Sequence, residues 1–168
     1  MVFLLILAPF AAFSLLLVVA PVVPSLVAGA AVAAAAIGYD VVAGRSIKML
    51  AAGSLILFAA LAGYFILTGA IWSSTAIRLT VDAGILAIML TSLAAGMPFT
   101  LQYAREEVDA ETAKLPGFLT ANYIIPAAWA GAIVLMAAAN LAVFYVPSLL
   151  LSIGIVIGGA LIFNYIVA

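Results

Sequence analysis

Long apolar runs, broken by short polar marks, are the dominant pattern of this chain. A helix that crosses a membrane needs about 20 consecutive, mostly apolar residues. Runs of that length lie near 2–20, 25–43, 49–69, 75–96, 123–145 and 148–168. Turn chemistry marks their ends. Pro21-Val22-Val23-Pro24 separates the first from the second, and Gly44-Arg45-Ser46-Ile47-Lys48 closes the second. Gly69 ends the third, with Trp72 just beyond it at an expected membrane–water interface. Gly96-Met97-Pro98 stops the fourth, and Pro147-Ser148 the fifth. The pattern predicts an all-α integral membrane protein, a polytopic bundle of about six transmembrane helices forming a single domain over 1–168.

One extended polar stretch interrupts the apolar rhythm, from about 99 to 121. Within it Phe99, Tyr103 and Glu106 or Glu107 fall at helical spacing, which predicts a short interfacial amphipathic segment between helices four and five. Such a helix buries Phe99, Leu101 and Tyr103 and exposes the acids. Arg105 then meets Asp109 at i,i+4. Gln102, Tyr103, Arg105, Glu106, Glu107 and Asp109 form the candidate cytoplasmic contact segment. It reads either as a docking surface or lid, or as a solvated connecting loop.

Composition turns the helical pattern into a membrane assignment. The 168 residues are 70% hydrophobic and 7% charged, whereas soluble domains carry roughly 25% charged residues. A water-soluble fold of this size has no way to hide so much apolar surface, and a bilayer has. A formal net charge of -1 offers no basic patch for neutralising phosphates, so nucleic acid is not an expected partner. The chain has no cysteine and no histidine. That removes disulfides, iron–sulfur clusters, thiolate zinc and the Ser-His-Asp triad, and no cofactor is expected. The acids Glu106, Glu107, Asp109 and Glu111 lack the spacing of a dinuclear metal site and lie among Arg105 and Lys114, so surface pairing is expected rather than a metal. The opening MVFLLILAPF lacks the basic start of a signal peptide and reads as a retained first membrane helix.

The few charges set an expected orientation. Arg45 and Lys48 lie between the second and third segments, and Arg105 and Lys114 between the fourth and fifth. Alternating spans put both connections on one side, and the positive-inside rule makes that side the cytoplasm, together with both termini. Arg78 is the exception.

Arg78 and Asp82 stand four apart in the fourth segment and share a helix face, making them the candidate intramembrane polar pair. A charge in hydrocarbon costs about 2.5–3.5 kcal/mol on insertion scales unless it is paired or wetted. The pair reads as a proton or ion site, or as an internal ion pair that sets helix packing. Tyr39 and Asp40 read as an interfacial anchor, or as a polar contact to the 99–121 stretch. Gly154 and Gly158 form a GxxxG element that permits close helix contact, within the bundle or between copies as a homo-oligomer.

Several of these marks occur in an order that resembles one bacterial family. They are Arg45…Lys48-Met49 before a long apolar run, Trp72 followed by Arg78-Leu79-Thr80-Val81, and Gly96-Met97-Pro98 with Gln102 before the acidic stretch. Leu119…Asn122 ahead of Trp129-Ala130, Ala139-Asn140 and Pro147 complete the series. Over about 45–168 the chain resembles the intracellular septation protein A family. The resemblance implies a non-enzymatic inner-membrane protein, a scaffold or partner in cell-envelope maintenance or division. This chain is richer in alanine and glycine, with fewer loop charges, so no site residue carries over from the family. The alternative that the residues themselves raise is a small transporter or channel using Arg78 and Asp82.

Overall fold

In hydrocarbon no water is present to satisfy a peptide group, so an apolar run must bond its own backbone and becomes a helix. The computed structural model describes residues 2–145, and they follow this rule. Helix α1 is Val2–Val19, α2 Val22–Val42, α3 Met49–Thr68 and α4 Ser74–Ala94. A short helix α5, Phe99–Ala104, and a single 3-10 turn, Thr112–Lys114, precede the long α6, Pro116–Tyr145. Among the described residues there is no strand. Helices α2, α3, α4 and the Pro116–Ala139 part of α6 are long and apolar enough to cross a bilayer, and α1 adds the shorter apolar stretch Leu7–Val19. The protein is therefore an all-α membrane protein. The sixth expected helix, near 148–168, and its Gly154 and Gly158 lie outside the described residues.

Two helix starts differ from the positions that the apolar runs suggest, and proline explains both. Helix α6 begins at Pro116 rather than near 123. Proline at the first helical position loses no hydrogen bond, because that N–H has no helical acceptor, and its ring presets φ. Phe118 and Leu119 then carry the apolar pattern onward, so the polar connection is shorter than expected. Helix α2 likewise begins at Val22, ahead of Pro24, which sits in the first turn where its missing N–H is harmless.

The chain groups into two compact units, Met1–Ile77 and one that begins at Arg78. In the first unit α1, α2 and α3 pack together. The buried face of α2 includes Ser25, Gly29 and Ala33, and that of α3 includes Leu50, Ser54, Phe58 and Ala62. Both sets recur every fourth residue, which puts each on one side of its helix. Small residues there let helices approach closely, the usual basis of helix association in lipid. The two buried serines bond their own helix, Ser54 Oγ to the Leu50 carbonyl at 2.6 Å and Ser25 Oγ to the Pro21 carbonyl at 2.9 Å.

Phe58 is the keystone of this unit. It is fully buried, and its ring centre lies 5.4 Å from those of Phe10 and Phe13 on α1. On α2 the ring covers Gly29, where a Cβ atom would stand 3.0 Å from Phe58 Cδ2. The missing side chain at 29 is the space the ring occupies. Gly29→Leu is expected to lower stability by about 1–3 kcal/mol through overpacking, read as a reduced unfolding midpoint in detergent. The added substitution Phe58→Leu should recover part of the loss. A Gly29→Leu protein as stable as the parent would contradict this packing.

Candidate functional site

The second and third helices join through a tight reversal whose geometry brings two opposite charges together. Asp40 lies in the last turn of α2, which ends with Ala43 as its cap. Gly44 follows with φ of 68°, a left-handed conformation that glycine adopts without a Cβ penalty. The Gly44 N–H donates to the Val41 carbonyl at 3.1 Å and the Arg45 N–H to the Asp40 carbonyl at 2.8 Å. This is the Schellman pattern, which satisfies the end of a helix while turning the chain. The chain then re-enters α3 with Lys48 as the residue before its first turn, and Lys48 Nζ comes within 3.3 Å of Asp40 Oδ2.

Lys48 is only 1% exposed and the Asp40 side chain 12%. Its charge, expected to face the interface, is instead compensated inside the protein. Asp40 thus holds the reversal twice, with its carbonyl through Arg45 and its carboxylate through Lys48. The Arg45 guanidinium also lies 5.9 Å from the centre of the Tyr39 ring, within the range of a cation–π contact. Tyr39 is itself exposed.

A second polar cluster surrounds α5. Gly96, with φ of 69°, ends α4 by the same Schellman pattern, its N–H bonded to the Leu93 carbonyl and that of Met97 to the Ser92 carbonyl, both at 3.0 Å. Three side chains then donate to backbone carbonyls. The Tyr123 hydroxyl reaches the Gly96 carbonyl at 3.0 Å, the Gln102 amide that of Met97 at 2.8 Å, and the Thr100 hydroxyl that of Asn122 at 2.9 Å. Phe99 and Leu101 are 2% and 3% exposed. Phe99 packs edge-on toward Trp129 of α6, with ring centres 6.4 Å apart. Tyr103 is half-buried, while Arg105, Glu106 and Glu107 are exposed. The amphipathic division of this segment is the one its spacing suggests.

Its end differs from expectation. Helix α5 stops at Ala104 with Arg105 as its cap, so Arg105 and Asp109 are not on successive turns of one helix. Asp109 instead closes the 3-10 turn. Its Oδ1 accepts from the N–H groups of Glu111 at 2.9 Å and Thr112 at 2.8 Å, and its Oδ2 accepts from the Thr112 hydroxyl at 2.8 Å. These bonds, led by the Thr112 N–H and then its hydroxyl, hold the Asp109 carboxyl below the usual carboxylate range. They favour the ionised form, which is the better acceptor.

The two members of the Arg78 and Asp82 pair stand in different surroundings on α4. Asp82 is buried, at 8% exposure, and Arg78 is exposed.

Lys48, Thr100 and Asn122 are absent from the site that sequence reasoning assembled. Opposite charges flanking a glycine turn, Asp40 and Lys48, were a readable sign of the hairpin clamp. The role of Thr100 had no such sign, because its acceptor lies on another helix. Compared with protein-family models, curated proteins and solved structures, the chain matches nothing in any of the three.

Replacing Asp40 with Asn takes the carboxylate away from the buried Lys48 charge and should cost about 3–5 kcal/mol, whereas Asp40→Asn with Lys48→Met should be much milder. Unfolding midpoints of the single and double variants check this, and equal losses would contradict it. The Asp109 carboxyl should titrate below the ordinary value of about 3.9, followed by carbon NMR, and Thr112→Val should raise it. Because the folded value is depressed, the turn gains stability above the unfolded value and loses it as pH falls through the folded one.

Proposed function

We propose that this protein is a non-enzymatic membrane scaffold that presents the charged 105–115 connection to a protein partner at the membrane surface. The single observation that carries the reading is how this connection is held. Its charged residues are exposed, while the α5 helix that leads into them is anchored by buried Phe99, Thr100 and Leu101. A loop that merely joins two spans needs no such base. Loops displayed on a rigid support are the usual place for contacts.

On this reading the chain sits in a bacterial inner membrane with the α2–α3 and α5–α6 connections in the cytoplasm. Exposed Arg45, Arg105 and Lys114 favour that side. The resemblance to the intracellular septation protein A family points to partners in envelope maintenance or division. The segment carries more acids than bases, so a basic partner surface suits it better than anionic lipid.

Burial of Asp82 in α4 favours one other reading, a small transporter or channel in which this carboxylate serves the passing ion.

The chain has no cysteine, so Glu107→Cys provides a single thiol on the segment to which a photo-crosslinker is attached. Crosslinking in native membranes should yield an envelope or division protein, with the label reached from the cytoplasmic side only. Crosslinks to lipid alone, or labelling from the opposite side, would overturn the scaffold reading. Ion flux in liposomes that Asp82→Asn abolishes would establish the transporter reading in its place.

A further inference from the structure

Proline has no N–H, so the carbonyl four residues before it in a helix loses its partner. Pro126 lies inside α6 and is among the fully buried side chains. The carbonyl it releases is that of Asn122. That same carbonyl accepts the Thr100 hydroxyl at 2.9 Å, in a buried setting. An unsatisfied carbonyl there would be costly, because neither hydrocarbon nor packed protein offers a substitute. The Asn122 side-chain amide is directed instead to the Phe118 carbonyl, at 2.9 Å.

We propose that α5 is a detachable clip, docked on α6 through the carbonyl that Pro126 releases, and that docking sets whether the charged connection is ordered. Phe99 and Leu101 supply the apolar contact, and Thr100 fixes the register. Helix α5 has six residues, far below the roughly 12–15 that an isolated helix needs to persist in water. Once off α6 it melts, and the chain from Phe99 to the 3-10 turn is released with it. The Thr100–Asn122 bond is thus the latch between a membrane helix and the charged segment. The clip stands whether or not that segment meets a partner.

The test is a double-variant cycle of Thr100→Val and Pro126→Ala in nanodiscs, read by hydrogen exchange at the Gln102 and Arg105 amides. Both amides are bonded within the docked helix, to the Pro98 carbonyl at 3.2 Å and the Leu101 carbonyl at 3.1 Å. Thr100→Val should speed their exchange about tenfold, the effect of leaving one buried acceptor unpaired. With Ala at 126 a backbone N–H reclaims the Asn122 carbonyl, and Thr100→Val should then change exchange little. Thr100→Ser, which keeps the hydroxyl, should behave as the parent. Equal acceleration by Thr100→Val in both backgrounds, or none in the parent, overturns the proposal.

Discussion

A peptide carbonyl that faces neither water nor an N–H donor is the costliest small defect a membrane protein can carry, and the described connections of this chain are arranged around avoiding it. Where α2 and α4 end, Gly44 and Gly96 turn the backbone so that the last carbonyls are met by the amides that follow. Beyond the Gly96 cap, exposed side-chain bonds from Tyr123 to the Gly96 carbonyl and from Gln102 to that of Met97 hold the turn. Where proline removes a donor from the middle of α6, Thr100 supplies one. The position of α5 follows from this requirement as much as from apolar burial.

Charge obeys the same economy. Lys48 is buried where the α2–α3 reversal sets it against Asp40, and the reversal is itself held by the Asp40 carbonyl. Backbone geometry and ion pairing therefore share one residue. Pairs of this kind add little over an apolar substitute yet are costly to break on one side, which suits a clamp better than a source of net stability. Apart from the buried Ser25 and Ser54, which bond their own helices, the packing of the first unit rests on apolar fit, with Phe58 filling the space above Gly29 against α1 and α2.

The charged connection is built differently. Asp109 spends its carboxylate on the Thr112 turn and so shapes the loop, while Glu106 and Glu107 stay exposed. Of the six candidates at 102–109, Gln102 and Asp109 thus hold the backbone, while Arg105, Glu106 and Glu107 keep exposed side chains. Helical spacing alone assigned them one role.

Run length and composition by themselves determined that the chain is a helical membrane protein, because a bilayer accepts only segments that satisfy their own backbone and bury no unpaired charge. They placed the described membrane helices to within a few residues, except that α2 runs on ahead of Pro24, which its first turn tolerates, and α6 already begins at Pro116. The helical spacing of Phe99, Tyr103 and Glu106 or Glu107 was also legible, since it is a property of neighbours along one element. The charges flanking Gly44 carried a readable sign of the Asp40 and Lys48 clamp, but only the tertiary structure decided that Phe58 covers Gly29 and that Thr100 closes the gap left by Pro126. Each of these joins residues on different helices, and such pairing depends on distance through space, which a one-dimensional pattern of apolar and polar positions does not encode.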